Sequence, residues 1–291
     1  MRISFSGHET FVCRQFWLKK GYEHLIAQRS FSDEDAVVHL GVGKNMTTSI
    51  KFWLKGFNVI DEGDQITEFG NYFFAGADPY LEDMASLWLL HYSAIKSEKL
   101  FIFYTFFNQF LKEKNEFTKP QLLSFLKRKT EEARLKLFSD KTYEADINVF
   151  LRTYNRANDG KSDIEEETAN LLIELNLIRP FSREDINGNS QQWFRVIRES
   201  RSELPLAILA YAILDNYGSE VKSLAFKDLL EGINSPGNIF CLTEKGLEDK
   251  IVALAQAWPN EFNYNETAGN RVLQIKQELD KMTFLNGYYN G

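Results

Sequence analysis

Cysteine, proline and long apolar runs are scarce in this sequence. Its 291 residues include two cysteines and six prolines. Because Cys13 and Cys241 lie far apart, we expect neither a disulfide framework nor a cysteine-rich zinc site. The longest apolar stretch, around residues 204 to 214, is too short to span a bilayer and predicts a buried helix. The polar first eleven residues do not fit a secretion signal, so we expect a cytoplasmic protein.

The familiar sequence motifs of enzymes are also missing. The four histidines at positions 8, 24, 39 and 91 do not have zinc-ligand spacing, and no nucleophile elbow is present. The glycines of LGVGKN at 40 to 45 are not followed by the Lys-Ser/Thr ending of a nucleotide-binding loop. They predict a tight turn between helices, and no nucleotide or organic cofactor is indicated.

Charge is distributed unevenly along the chain. The net charge is −7, which is unfavourable for binding phosphates over the molecule as a whole. Residues 1 to 60 nevertheless contain eight lysines and arginines against five acidic residues, so this segment is cationic. Since a binding surface is local, the sequence predicts a basic module on an acidic body.

The composition, with 44% hydrophobic and 26% charged residues, indicates a folded protein of two or three modules. Its patterns predict a mainly α, α+β fold made of winged-helix units with small β-hairpin wings and a helical middle region. We predict three parts: an N-terminal winged helix at 1–77 that binds DNA, a helical middle at 78–158, and a C-terminal winged-helix-like region at 159–291.

Within the first part, the pattern predicts helix, turn, helix and hairpin in that order. The predicted elements are a helix over 10–27 broken near Gly21, a short helix from Asp33 to the Gly41 and Gly43 turn, a helix over 44–55, and short strands at 58–60 and 65–67. The pattern Ile-Thr-Glu-Phe-Gly at 66–70 recurs as Leu-Thr-Glu-Lys-Gly at 242–246, which we interpret as a repeated junction between a wing and a helix.

The helix after the double-glycine turn is the predicted DNA-recognition helix. It combines polar donors with an apolar face that can pack inward. Basic residues of the preceding helix are predicted to reach phosphates, and the alternative for both sets is an ordinary solvated surface. The predicted DNA-binding residues are Arg14, Lys19, Lys20, Lys44, Asn45, Thr48, Lys51 and Lys55, with Thr47 as a further donor.

Several ionisable residues are candidates for acid–base or metal chemistry. Imidazole and carboxylate groups transfer protons near neutral pH, and carboxylates hold the divalent ions used in phosphodiester cleavage. The candidates are His8, Glu9, Asp78, Asp83 and Asp146, with Glu82 nearby. Their spacing does not define a metal site, and helix capping or hydrogen bonding is the alternative. Likewise, the aromatic stripe from Phe101 to Phe110 predicts core packing rather than base stacking.

Several longer sequence segments resemble a bacterial domain family of unknown function, number four thousand and seven. They are SGHETFVCRQFWLKKGY at 6–22, LGVGKN at 40–45 followed by SIKFW at 49–53, DPYLEDMASLWLLH at 78–91, ADINVFLRTY at 145–154 and NETAGNR at 265–271. The resemblance spans nearly the whole chain. Family members are associated with DNA phosphorothioation gene clusters that serve phage defence, and SspB-type members are described as DNA nickases.

The resemblance implies a DNA-binding component of such a system, acting as a nickase that opens the backbone for sulfur incorporation with Mg²⁺ or Mn²⁺. It implies double-stranded DNA as a partner, together with sulfurtransferase or PAPS-reductase-like proteins, and no membrane. The resemblance assigns no catalytic role to any particular residue of this sequence. A non-catalytic DNA-binding adaptor, a transcriptional regulator and a helical scaffold without DNA affinity are the alternatives.

Overall fold

The structure, a computed structural model, describes residues 5–155, 170–184, 188–218, 220–267 and 269–291. It confirms a mixed α+β protein that is mainly helical and has two small antiparallel three-stranded sheets. The polar stretch at 155–163, whose Asp159-Gly160 pair predicts a long surface loop, lies, after Asn155, outside the described residues. Within the described part, no helix combines the length and the apolar character needed to cross a bilayer.

The chain forms two compact units, and each takes part of one shared helix. The first unit comprises residues 1–82 and 93–197, and the second comprises residues 83–92 and 198–291. These two units do not coincide with the three parts predicted from the sequence, whose boundaries fall at 77/78 and 158/159. As a division into functional modules, the three-part scheme stays a prediction.

Helices predominate in the first unit. They are α1 (Trp17–Ile26), α2 (Ala36–Leu40), α3 (Lys44–Gly56), α4 (Glu68–Tyr72), the end of α5 (Met84–Lys96), α6 (Phe101–Thr105), α7 (Leu111–Glu113), α8 (Lys119–Glu132) and α9 (Asp140–Tyr154). π-helical turns at Phe73–Ala77 and Phe106–Phe110 follow α4 and α6, and a 3-10 turn lies at Ile173–Leu175. The strands are β1 (Glu116–Phe117), β2 (Ile178–Glu184) and β3 (Ser190–Val196), in the spatial order β1-β3-β2.

Local sequence explains where α8 begins. Thr118 and Gln121 form a capping box, in which each side chain satisfies a backbone N–H at the helix start. Pro120 lies in the first turn, where its missing N–H costs nothing. A threonine two residues before a proline already predicts a helix start at Thr118 from the sequence, and the structure confirms it.

Aromatic side chains form the core of the first unit. Phe103, Phe106, Phe107 and Phe110 are all buried, and the ring of Phe106 lies 4.7 Å from that of Phe150 on α9. The prediction that the stripe from Phe101 to Phe110 belongs to the core is therefore confirmed.

The N-terminal third differs in two ways from the predicted helix, turn, helix and hairpin. α1 is continuous, so the predicted break near Gly21 is wrong. A Cβ at Gly21 would lie 2.4 Å from Leu54 of α3, so this glycine lets two helices approach closely instead of ending one. The predicted wing is reduced to a single antiparallel bridge between Ile60 and Ile66.

The second unit contains the start of α5 and the chain after residue 197. Its helices are α10 (Leu206–Tyr217), α11 (Phe226–Glu231), α12 (Pro236–Ile239), α13 (Glu244–Ala257) and α14 (Lys281–Tyr289). Its strands are β4 (Ser223–Ala225), β5 (Phe262–Thr267) and β6 (Asn270–Ile275), in the spatial order β4-β6-β5. The apolar run predicted as a buried helix is α10, whose residues from Ala207 to Leu214 are all buried.

The repeated Thr-Glu-x-Gly pattern has the same structure in both places. The side chains of Thr67 and Thr243 cap α4 and α13, each accepting a 3.0 Å hydrogen bond from the glycine N–H three residues later. A Cβ at Gly70 would lie 2.3 Å from the carbonyl oxygen of Val59, and one at Gly246 would lie 2.5 Å from Cα of Ser200. The glycines therefore admit close backbone contact at both helix starts.

Candidate nucleic-acid interface and buried polar pair

The N-terminal end of α3 carries the exposed part of the predicted recognition helix. Gly41 ends α2 with a φ of 65°, and α3 begins three residues later. Lys44, Asn45 and Thr48 are exposed, whereas Thr47 is buried and its hydroxyl lies 3.4 Å from the carbonyl oxygen of Gly43. The first five residues of α3 thus present an ammonium and an amide to solvent, together with the hydroxyl of Thr48, which donates to the carbonyl of Lys44.

The C-terminal half of α3 is neutralised by the loop that follows it. Lys51 and Lys55 contact the carboxylate of Asp64 at 2.6 and 2.9 Å, and Lys55 also lies 3.9 Å from Glu62. Burial raises the pKa of Asp64, but hydrogen bonds and charge from both lysines outweigh this and lower it. These two lysines are therefore engaged within the protein, unlike Lys44.

The basic residues before and within α1 have different surroundings. The half-buried Arg14 guanidinium lies 5.5 Å from the ring of Trp17. Lys19 contacts Glu23 at 3.4 Å and lies 3.7 Å from the centroid of the Tyr80 ring. Lys20 is exposed, and its ammonium donates a 3.4 Å hydrogen bond to the carbonyl of Leu40 at the end of α2. Of the three, Lys20 is the exposed cation adjacent to the turn before α3.

Two of the candidate catalytic residues, His8 and Asp146, are far apart in the sequence but lie side by side in the first unit. Nε2 of His8 lies 3.1 Å from Oδ1 of Asp146 on α9, and both side chains are about one-twentieth exposed. The backbone N–H of Thr10 donates to Nδ1 of His8, which places the proton of a neutral ring on Nε2. Nε2 is not aligned for a hydrogen bond, so the contact with Asp146 is electrostatic.

Further contacts hold the backbone on either side of His8 in place. The N–H of Ser6 donates to Asp146, and Arg152 donates to the carbonyl of Thr10. The ring of His8 stacks near that of Trp53 of α3. The pair thus fastens the N-terminal segment to α9 and α3, and its burial keeps both groups from a DNA strand in this arrangement.

The other acidic candidates have hydrogen-bond surroundings of their own. Glu9 is exposed with a φ of 48°. Asp78 is buried and accepts a 3.0 Å hydrogen bond from the N–H of the exposed Glu82. Asp83, in the second unit, accepts hydrogen bonds from the N–H of Ala85 and the hydroxyl of Tyr288. Asp78 and Asp83 therefore accept hydrogen bonds from backbone N–H groups near the start of α5, which is the capping alternative considered for these acids.

The candidate acids do not form a cluster of three or more metal-ligating side chains in the described part of the chain. No group of three His, Cys, Asp or Glu side chains there is close enough to share a metal. Mg²⁺ is usually held by one or two carboxylates with waters and substrate phosphates, but the buried His8–Asp146 pair offers no opening for these.

Sequence reasoning overlooked a basic and aromatic surface on the hairpin β2–β3. Side chains on one face of this sheet alternate as Arg179, Phe181, Arg183 on β2 and Gln191, Trp193, Arg195 on β3. The signal was available, because Arg-x-Phe-x-Arg and Gln-x-Trp-x-Arg have the period of two that strands require.

Comparison with known proteins identifies relatives of this chain. A family model described as "Protein of unknown function (DUF4007)" matches residues 5–289. The structure is similar to the crystal structure of magnesium ion-bound SspB, with a TM-score of 0.83 and 26% identity over 99% of this chain and 88% of that one. A second SspB crystal structure matches with a TM-score of 0.82, the same identity and the same coverage. No curated protein matches.

Proposed function

Since this chain belongs to the DUF4007 family, we propose that it is a DNA-binding component of a bacterial DNA phosphorothioation and phage-defence system. The likeness to SspB supports the association with such a system. Its partners in this proposal are double-stranded DNA and sulfurtransferase or PAPS-reductase-like proteins.

The exposed first turn of α3 is the observation that carries the DNA-binding proposal. Residues at the start of a recognition helix contact base edges, and helix N–H groups there favour anions. Lys44 and Asn45 occupy these positions, and neither is engaged by an ion pair within the part of the chain that the structure describes. Lys20 supplies a further exposed cation for a phosphate.

We also propose that the winged-helix units lie where the two sheets are, rather than in the N-terminal third. Among the described residues, the first sheet follows the order helix, strand, two helices and hairpin, and the second follows the order helix, strand, three helices and hairpin, each with its last strand between the other two. That order is typical of a winged helix. The helices in the recognition position are α9, which is largely buried, and α13, where the exposed acids Glu244 and Asp249 outnumber the exposed Lys245. Neither offers a cationic surface, which favours α3 as the duplex contact.

Fluorescence anisotropy with a labelled duplex tests this proposal. We expect the double variant K44Q/N45A to bind about tenfold more weakly, and the slope of log K against log salt to become shallower by about one. The matched control is K51Q, which removes a lysine of the same helix already paired with Asp64, and its affinity should stay near that of the unchanged protein. Equal loss in both variants, or no duplex binding at all, would contradict the proposal.

DNA nicking dependent on Mg²⁺ or Mn²⁺ is the finer proposal. The family likeness and the magnesium-bound SspB structure support it. Its test is incubation of the protein with supercoiled plasmid and either metal, followed by gel analysis of open-circular product. Nicking that survives in the double variant D146N/H8Q would remove this pair from any catalytic role. Persistent absence of product with intact duplex binding would favour an adaptor or a transcriptional regulator.

A further inference from the structure

The outward face of the β1-β3-β2 sheet has an unusual composition. Its central cross-strand pair joins Phe181 to Trp193, and arginines lie before and after this pair along β2 and beside it on β3. The opposite face carries Ile178, Phe194 and Val196, which are buried. The arginines and the two rings are thus presented by a sheet whose other side is anchored in the core.

The rings and the guanidinium groups of this face are stacked on one another. The guanidinium carbon of Arg183 lies 4.5 Å from the centroid of the Trp193 ring, and that of Arg195 lies 5.0 Å from the Phe181 ring. Stacking on an aromatic ring holds a flexible arginine in place, which lowers the entropy lost when it binds an anion. Half of each of these arginine side chains remains exposed.

A single carboxylate limits the positive charge of the face. Glu116 on β1 accepts hydrogen bonds of 2.8 Å from Arg183 and 2.7 Å from Arg195. These two bonds lower the pKa of the Glu116 carboxyl, so it is ionised at neutral pH. Arg179 is exposed and donates to the neutral amide of Asn176. The face as a whole keeps an excess of two positive charges on a protein whose net charge is −7.

From this geometry we propose that the face formed by Arg179, Phe181, Arg183, Trp193 and Arg195 binds single-stranded DNA. The inference deepens the proposed function, on which the choice of DNA rests. Side chains on one face of a strand recur about every 7 Å, so arginines and rings alternate along the direction in which an extended strand would lie. Phosphates would contact the guanidinium groups, and unpaired bases would stack on the rings and on the planar arginines.

A single strand fits this face better than two rival partners. A duplex keeps its bases stacked inside and would contact the arginines alone, leaving the aromatic pair unused. An acidic peptide likewise needs only the arginines. The alternation of cations with aromatic rings is the combination that single-strand binding proteins use.

Binding of a labelled thymidine oligonucleotide of about 12 nucleotides to the full chain tests the proposal. We expect W193A to weaken binding about tenfold, because the base loses its stacking partner, and R183Q/R195Q to make the salt dependence shallower by about one. The substitution E116Q should have the opposite effect on affinity, because it removes the negative charge that pairs with two arginines. We expect it to strengthen binding about threefold. A merely structural role for these residues does not predict a gain in E116Q.

Controls separate this surface from α3. The variant K44Q/N45A should leave oligonucleotide binding unchanged, and W193A should leave duplex binding unchanged, so the two proposals fail independently. Circular dichroism of each variant checks folding. The proposal is overturned if the oligonucleotide does not bind, if E116Q and W193A bind like the unchanged protein, or if duplex DNA or polyglutamate competes as well as the single strand.

Discussion

The two hairpin-bearing sheets share one topology and can be compared position by position. The core pair Phe117 and Phe194 of the first sheet corresponds to Leu224 and Leu273 of the second, and these four side chains are buried. The side chains on the outward faces of the two sheets differ. The second sheet carries Asn263, Asn265 and Gln274, joined by amide hydrogen bonds of 3.0 and 3.2 Å, where the first carries arginines and rings.

The position of Glu116 sharpens this contrast. Its counterpart on β4, opposite Gln274, is Ser223, which brings no charge. The shared topology requires only an apolar inner face, because that face closes the core. The outward residues are free of this requirement, so one sheet can acquire a binding surface while the other stays neutral. Four predictions test how far the comparison holds.

Truncating the matched core residues should have the largest effect. The Phe117 ring packs within 5.2 to 5.7 Å of the rings of Phe106, Phe110 and Phe194. We expect F117A to destabilise the first unit by about 3 to 5 kcal/mol, and L224A to destabilise the second by about 2 to 3 kcal/mol, because a smaller side chain is lost. Hydrogen exchange read by mass spectrometry assigns each loss to one unit. An effect of L224A larger than that of F117A would contradict the equivalence of the two positions.

Acid should weaken the second unit through a histidine. His91 is fully buried, and its Nε2 lies 2.8 Å from the carbonyl oxygen of Ile239, to which the neutral ring donates. Burial, with a contribution from Arg201, lowers its pKa to about 3, despite the hydrogen bond to Ile239. The unfolded chain binds a proton below pH 6.5 and the folded chain does not, so stability present above pH 6.5 is lost as the pH falls.

The expected loss approaches about 1.4 kcal/mol per pH unit as the pH falls from 6.5 to 5. Urea unfolding at a series of pH values, monitored in the second unit by hydrogen exchange, measures this loss of stability. The variant H91Q keeps an N–H donor and removes the titrating group, so its stability should depend less on pH in this window. An unchanged slope in H91Q would show that other groups cause the acid sensitivity.

Removing the matched helix caps should have smaller effects. Thr67 and Thr243 cap α4 and α13 with the same hydrogen bond. The alanine variants T67A and T243A should each lose about 1 kcal/mol of stability. The serine variants keep the hydroxyl and should recover most of this loss. Chemical denaturation with exchange at the two helix starts provides the measurement, and a loss that serine does not recover would mean that the methyl group, not the cap, matters.

Transferring the outward residues should give the smallest effect. The triple variant N263R/V272W/Q274R copies the arginine and tryptophan positions of the first sheet onto the second, where Ser223 cannot neutralise them. We expect it to raise affinity for the thymidine oligonucleotide about twofold to threefold. Titration by anisotropy measures the change. Unchanged affinity would mean that the first sheet contributes more than its outward side chains.

Much of the local structure follows from the sequence alone. Thr118, Pro120 and Gln121 lie within one helical turn, so their capping energy is encoded in four neighbouring residues. The same holds for the Thr-Glu-x-Gly junctions and for the buried aromatic stripe. The resemblance over nearly the whole chain was confirmed as the DUF4007 family.

Tertiary structure alone decided which of the candidate residues meet and which remain exposed. His8 and Asp146 are 138 positions apart, β1 pairs with β3 across about 80 residues, and Lys51 is neutralised by an acid beyond the end of its own helix. No local pattern encodes these pairings, because each depends on how helices and strands pack once the core has closed. The outward alternation of arginines and rings could be seen in the sequence, but only the pairing of β2 with β3 joins its two halves into one surface.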